Sequence, residues 1–113
     1  MRKIAITTAL LLTTTAAQAG EQYLTLGRGT ESCATWQASA AEMSAGRDWI
    51  QGFWSGLNLS APEGMKTVGT STDIEGIVAE VKGLCAKVPS GQLLPVTMTI
   101  YRHIREREFP GSK

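Results

Sequence analysis

Two cysteines and one histidine are the main candidates for reactive or metal-binding residues in this chain. Cys33 and Cys85 lie 52 positions apart, and His103 lies between Arg102 and Arg105 near the C-terminus. The sequence has neither a CxxC nor an HExxH pattern, which leaves little to form a metal site. As a general base His103 would need an Asp or a nucleophile nearby, and the sequence offers only ordinary Ser and Thr. We therefore expect no metal, no cofactor and no enzymatic activity, and we interpret His103 as a solvated or helix-end residue.

The N-terminus has the pattern of an export signal. Arg2 and Lys3 precede an uncharged run over residues 4–17, and Ala17-Gln18-Ala19 matches a small-x-small cleavage site. The run is shorter than the about 20 apolar residues that span a bilayer. We therefore predict a signal peptide over residues 1–19, a periplasmic protein over residues 20–113 that forms one domain, and no membrane insertion after cleavage.

Export to an oxidising compartment determines what the two cysteines can do. In such a compartment a pair of cysteines in a small domain is expected to form a disulfide, here between Cys33 and Cys85. A domain of this size is marginally stable, and a disulfide closing a loop of this length contributes roughly 4 kcal/mol in the chain-entropy model. The bridge is therefore expected to hold the fold and to keep the chain compact after its core loosens.

The charge balance argues against nucleic acid as a partner. The chain has 11 basic and 10 acidic residues, and removal of Arg2 and Lys3 changes the formal charge from +1 to −1. The charge is unevenly distributed, at −5 over residues 20–81 and +4 over residues 82–113. We expect the two halves to attract at neutral pH and the chain to repel itself in strong acid, where the carboxylates are protonated.

Apolar spacing predicts two helices in the first part of this domain. Residues 20–30 are polar and glycine-containing and are interpreted as an irregular, flexible arm. A first helix is predicted over residues 31–45, with Thr30 as its N-cap and Gly46 as its end. A second helix over residues 47–59 is apolar over a broad arc, which is typical of a central helix.

The second part predicts two more helices and therefore an all-α, compact four-helix domain with one disulfide. A loop is expected over residues 60–71, followed by a capping box, Thr72-Asp73-Ile74-Glu75, that opens a helix reaching Cys85. The last helix is predicted over residues 93–107, with Pro95 in its first turn. Residues 96–101 also alternate as a strand would, and helix is preferred because no partner strand is visible.

The segment between residues 48 and 58 has the most unusual composition in the chain. Gly52 and Gly56 are one helical turn apart and predict close packing of another helix, either within the chain against the capped helix or from a second molecule. Aromatic side chains are too many here to point to one core, which favours a surface for a client protein or for a homodimer. The residues assigned to that apolar surface are Trp49, Phe53, Trp54 and Leu57.

The order of these features resembles the HdeA/HdeB family of periplasmic acid-stress chaperones. The matching positions are the export signal, Cys33 and Trp36, the segment Trp49-x-x-Gly52-Phe53-x-x-Gly56-Leu57-Asn58, Asp73-x-x-Gly76 and Cys85. The resemblance implies a four-helix domain in which Cys33 and Cys85 are bridged. It also implies a dimer at neutral pH that separates in acid and then covers apolar surface of unfolded or partly unfolded proteins.

Four carboxylates are assigned as acid-sensitive in this interpretation. Protonation at about pH 2 to 3 would remove their charge and with it the attraction between the two halves and the support of a helix N-terminus. The residues are Asp48, Asp73, Glu75 and Glu80. Immunity proteins of type VI secretion are also small, exported, helical and disulfide-bonded, so neutralisation of one cognate toxin is the alternative function.

Overall fold

The computed structural model describes residues 24–63 and 67–111 of the chain. A short 3-10 helix, Gly27–Thr30, precedes four α-helices, and these described residues contain no strand. The predicted signal peptide lies outside the described residues. The α-helices are α1, Cys33–Trp36; α2, Ala40–Ser60; α3, Ile74–Lys87; and α4, Leu93–Glu108. The prediction of an all-α fold with four helices is therefore confirmed for the described residues.

The boundary between α1 and α2 differs from the prediction of one helix over residues 31–45. Two serines act as separate N-caps, since Ser32 Oγ accepts from the Thr35 amide and Ser39 Oγ accepts from the Glu42 amide, each at 3.1 Å. A serine cap satisfies an amide that lacks a partner at a helix start, so Ser39 begins a new helix. Thr30 lies in the 3-10 helix, and its assignment as N-cap is wrong.

Gly46 lies inside α2 and does not end a helix. Its missing side chain lets α1 pack closely on α2, because an ideal Cβ placed on Gly46 would lie 2.6 Å from Cε3 of Trp36. The indole of Trp36 is fully buried at this contact. The burial of a tryptophan compensates for the helical cost of glycine, which explains why the predicted stop at Gly46 is wrong.

The helix predicted to follow residue 72 is confirmed as α3, but its cap is different. Asp73 is the N-cap, and its carboxylate accepts from the Gly76 amide at 2.8 Å. The Glu75 carboxylate accepts instead from Nε of Arg47 on α2, at 2.7 Å. The reciprocal contacts of a capping box starting at Thr72 are therefore not formed, and that part of the prediction is wrong.

The last helix matches its prediction and resolves the strand alternative for residues 96–101. α4 begins at Leu93, so Pro95 lies in the first turn, where its missing amide hydrogen costs nothing. Thr97 is fully buried, and its hydroxyl donates to the Leu93 carbonyl within the helix. The buried apolar face of α4 consists of Leu93, Val96, Ile100, Tyr101 and Ile104.

A disulfide and backbone hydrogen bonds join three elements at one end of the domain. Cys33 at the start of α1 is bonded to Cys85 in the last turn of α3, with 5.3 Å between their Cα atoms, as predicted. The amide of Cys33 also donates to the carbonyl of Gly91, and the amide of Leu93 donates to the carbonyl of Glu31. The starts of α1 and α4 are thus fixed to the end of α3.

The segment before α1 is more regular than predicted. Residues 27–30 form the 3-10 helix, so the prediction of an irregular arm is wrong for them. The segment packs on Trp49, whose Nε1 donates to the Leu26 carbonyl at 3.0 Å. Gly27 has a φ of +72°, a left-handed conformation that favours glycine. None of the helices in the described ranges is long and apolar enough to cross a membrane.

Removal of the disulfide is expected to lower the free energy of unfolding by about 4 kcal/mol, because the bond closes a separation of 52 residues. The variant is Cys33→Ser/Cys85→Ser, which avoids a free thiol. The measurement is urea unfolding followed by circular dichroism at neutral pH. Reductant should shift the natural chain toward the variant and leave the variant unchanged, and equal stability of the oxidised natural chain and the variant would contradict this account.

Candidate functional site

The candidate site is a cavity of about 730 Å³ on one side of α2, here called the apolar groove. Its floor comes from α2, one wall from the segment before the 3-10 helix and the other wall from α4. Asp48 contributes the only charged side chain to the lining found among the described residues. The apolar side chains are Leu24, Leu26, Trp49, Phe53, Leu57, Leu94 and Met98.

Helical spacing brings three of the four residues predicted for an apolar surface into this floor. Trp49, Phe53 and Leu57 follow one another at intervals of four residues and therefore share a face of α2. The rings of Trp49 and Phe53 are stacked, with 4.9 Å between centroids and 13° between planes. The hydrogen bond from Trp49 to Leu26 holds the stack in place, so the floor is preformed.

Trp54, the fourth predicted surface residue, is in the core instead. It is 5% exposed, its ring meets Tyr101 edge-on, and its Nε1 donates to the Val68 carbonyl at 3.0 Å. One residue along a helix turns the side chain by about 100°, which takes Trp54 away from Phe53 and toward α4. The assignment of Trp54 to an exposed surface is therefore wrong for the folded chain.

Gly52 and Gly56 do not pack against any helix in the described part of the chain. An ideal Cβ placed on either residue meets nothing within 4 Å, and both glycines are exposed. The prediction of close packing within the chain is therefore wrong, because α3 packs on the opposite side of α2, where Ile50 and Trp54 are buried. The alternative, approach of a second molecule to this face, stays a prediction.

Two of the four predicted acid-sensitive residues occupy junctions between helices. Glu75 contacts Arg47 and joins α3 to α2, while Glu80 contacts Arg107 at 2.8 Å and joins α3 to α4. Asp73 caps α3, as described above. Asp48 is 74% exposed and lies 3.7 Å from Arg47 on its own helix, so it joins no second element.

A further carboxylate of this kind is missing from the sequence prediction. Glu42 in the first turn of α2 forms an ion pair with Arg28 in the 3-10 helix, and Arg28 also pairs with Glu31. Of the ion pairs in the described ranges, Glu80 with Arg107 is the one that links the acidic half to the basic half. The predicted attraction between residues 20–81 and residues 82–113 thus corresponds to one ion pair in the described ranges.

Glu108 makes a contact that sequence reasoning did not find. The last residue of α4 accepts hydrogen bonds from the Gly69 amide at 2.9 Å, from the Ser71 amide at 2.7 Å and from the Ser71 hydroxyl. Partial burial acts to raise the pKa of Glu108, but these hydrogen bonds and the charge of Arg107 outweigh it. The pKa of Glu108 therefore lies below its ordinary value of 4.5.

Asn58 in the last turn of α2 connects three elements through its amide. Its Oδ1 accepts from the Val68 amide at 3.2 Å and from the Tyr101 hydroxyl at 2.9 Å, and its Nδ2 donates to the Val68 carbonyl at 3.0 Å. Burial raises the pKa of Tyr101, although Arg105 acts against this, so the hydroxyl remains a donor. Val68 is consequently held in the core at 2% exposure.

The arrangement is suited to binding apolar surface. His103 is exposed on α4, and the described part of the chain contains no group of three or more His, Cys, Asp or Glu residues placed to hold a metal ion. Leu24 and Leu26, in one wall of the groove, are 87% and 74% exposed, so the mouth of the groove offers apolar surface to a partner. The aromatic run indicated the floor, but no local signal indicated the walls.

Comparison of the chain with protein-family models, with curated proteins and with solved structures gives no match. The resemblance to the HdeA/HdeB family therefore rests only on the residues named for it.

Two glycines of α2 should respond to the same substitution in opposite directions. Gly52→Ala is expected to raise the free energy of unfolding by about 1 kcal/mol, because glycine disfavours a helix and the added methyl group meets nothing. Gly46→Ala is expected to lower it by roughly 1 to 3 kcal/mol, because its methyl group overlaps Trp36. Urea unfolding of both variants at low protein concentration measures the difference.

Gly83→Ala is the matched control, since Gly83 is an exposed position inside α3 with open space around it. It should behave as Gly52→Ala does. If Gly52→Ala alone is destabilising, and more so at higher protein concentration, a second molecule packs on this glycine face.

Proposed function

We propose that this chain is an exported, non-enzymatic protein that protects periplasmic proteins from aggregation under acid stress, as HdeA/HdeB-like chaperones do. The observation that carries the proposal is the apolar groove, an open binding surface in a domain whose helices are also joined by carboxylate contacts. The groove supplies affinity for apolar segments. The carboxylate contacts supply a response to acid.

The size of the groove indicates what it can bind in the folded state. A cavity of about 730 Å³ has room for a few apolar side chains of a client. Burial of each such side chain contributes roughly 1.5 to 3 kcal/mol, which gives weak binding once the cost of association is subtracted. Protection of an unfolding protein needs more apolar surface than this, and in the proposal acid provides it by loosening the helices.

Protonation acts on specific junctions. It removes the charge of Glu42, Glu75 and Glu80, whose contacts with arginines hold the 3-10 helix to α2, α2 to α3, and α3 to α4. Each of these contacts is partly exposed and contributes little alone, so the larger effect is the positive charge that remains on the whole chain. The disulfide does not titrate and limits how far the helices separate.

A homodimer at neutral pH fits the same surface. Gly52 and Gly56 lie beside the floor of the groove and leave the backbone of α2 open to close approach. A second copy that packs on this glycine face would cover Phe53 and Leu57 until acid separates the two chains. The partners in this proposal are therefore a second copy at neutral pH and unfolded or partly unfolded proteins in acid.

The purified protein is expected to suppress light scattering by an unrelated aggregating protein at about pH 2 to 3, where carboxylates are protonated. Leu57→Ser should raise the concentration needed for half-maximal suppression roughly tenfold, the effect of losing one buried leucine contact. Leu59→Ser is the matched control, because Leu59 is on the same helix, 88% exposed and outside the groove.

No suppression at any ratio of the natural protein to the aggregating protein would contradict the proposal. Equal losses for Leu57→Ser and Leu59→Ser would show that binding is not centred on the groove.

Neutralisation of one cognate toxin is the second candidate, and the preformed floor favours it. The Trp49 and Phe53 stack is fixed by a hydrogen bond in the folded chain, and rigid aromatic pairs are typical anchors of tight interfaces. This function requires a single partner retained at neutral pH with no need for acid. A pull-down from the extract of a strain that produces a neighbouring toxin, with Phe53→Ser as the control, distinguishes it from general client binding.

A further inference from the structure

The loop at residues 67–71 is held by two side chains, an amide and a carboxylate. Its first half is held by Asn58, whose amide makes two hydrogen bonds with the backbone of Val68 and does not titrate. Its second half is held by Glu108, whose carboxylate accepts from Gly69 and twice from Ser71. One carboxylate therefore fixes the outer half of the loop.

The outer half of the loop covers apolar surface. Gly69 has a φ of +100°, and an ideal Cβ placed on it would lie 3.0 Å from Nε1 of Trp54 and 3.6 Å from Cδ1 of Ile77. A cavity of about 210 Å³ lined in part by Trp54, Ile74 and Ile77 adjoins this segment. This cavity already faces solvent, and if the outer half moves away it widens and exposes more of Trp54 and Ile77.

Few charged groups surround Glu108. Arg107 is its neighbour on α4 and is itself paired with Glu80 of α3. Residues 67–72 carry no charged side chain, and neither do residues 51–60 at the end of α2. Asp73 follows the loop and is occupied in capping α3. Among the described residues, Glu108 is thus the titrating group hydrogen-bonded to the loop.

We propose that Glu108 is an acid-operated latch that releases residues 69–71 and widens the cavity beside Trp54 and Ile77. Protonation converts an acceptor-only carboxylate with two equivalent oxygens into a neutral acid, in which one oxygen carries a hydrogen and the other accepts more weakly. The three contacts cannot all persist in that form. Val68 stays in place because the Asn58 contacts are unaffected, so the opening is local and hinges beside Val68.

The direction of the pH effect follows from linkage. The hydrogen bonds lower the pKa of Glu108 in the folded chain below its ordinary value of 4.5. A lowered folded-state pKa means that the stabilisation is complete above the ordinary value and is lost as pH falls through the folded value. The latch is therefore closed at neutral pH and opens in acid below 4.5.

Amide hydrogen exchange by NMR tests the latch on the purified protein, with protection factors corrected for the intrinsic rate. Protection of the Gly69 and Ser71 amides should fall roughly tenfold or more as Glu108 protonates, the effect of losing a hydrogen bond to a charged group. The Val68 amide is the internal reference and should keep its protection. Glu108→Gln should show the low protection of Gly69 and Ser71 already at neutral pH.

Glu106→Gln is the matched control, since Glu106 is exposed on the same helix two residues away. It should leave the loop amides as they are in the natural chain. Protection of Gly69 and Ser71 that does not change with pH, or that Glu108→Gln leaves intact, would overturn the latch.

A measurement on the natural chain tests the latch even if Glu108→Gln does not fold. The side-chain carboxyl carbon of Glu108 and the amide of Gly69 should titrate with the same midpoint, and different midpoints would overturn the proposal. The latch is independent of the proposed function. Release of the loop without suppression of aggregation would contradict the chaperone alone, whereas suppression with a fixed loop would contradict the latch alone.

Discussion

The disulfide between Cys33 and Cys85 is the constraint on which the rest of the domain depends. It fixes α1, a helix of four residues that is too short to be stable alone, to the end of α3. Once α1 is fixed, Trp36 is presented to the bare backbone at Gly46, and this contact aligns α2. The position of α2 then determines both the apolar groove and the loop contacts at its far end.

The two ends of α2 are held by different chemistry. Its first half packs against a covalent, apolar junction around the disulfide and Trp36, whose strength does not depend on pH. Its last turn is near the loop at residues 67–71, which depends on the amide of Asn58 and on the carboxylate of Glu108. The first half of α2 also has the ion pairs of Glu42 and Arg47, which acid would remove, but the disulfide is unaffected. In the proposals above, the disulfide end therefore stays structured after the loop end loosens.

The spacing of apolar residues was sufficient to predict the helices that have a regular apolar face. α3 and α4 have apolar residues on one face and were predicted within about two residues, which is the usual uncertainty of helix ends. The continuation of α2 through Gly46 was not predictable from spacing, because glycine disfavours a helix and Gly46 is retained by a tertiary contact with Trp36. The aromatic spacing indicated the groove floor, but the Glu108 contacts join residues 37 and 39 positions apart and leave no local signal.

The side chains of α2 that pack in the core and those that line the apolar groove lie on different faces of the helix. Ile50, Trp54 and Asn58 follow one another at intervals of four and face the core, while the row that begins at Trp49 forms the groove floor about 100° away. Gly52 lies on the side of the floor opposite the core, in open space. A partner that enters the groove therefore meets aromatic side chains and exposed backbone without displacing a core residue. The proposed binding at the groove and the proposed opening of the loop would therefore involve different faces of α2.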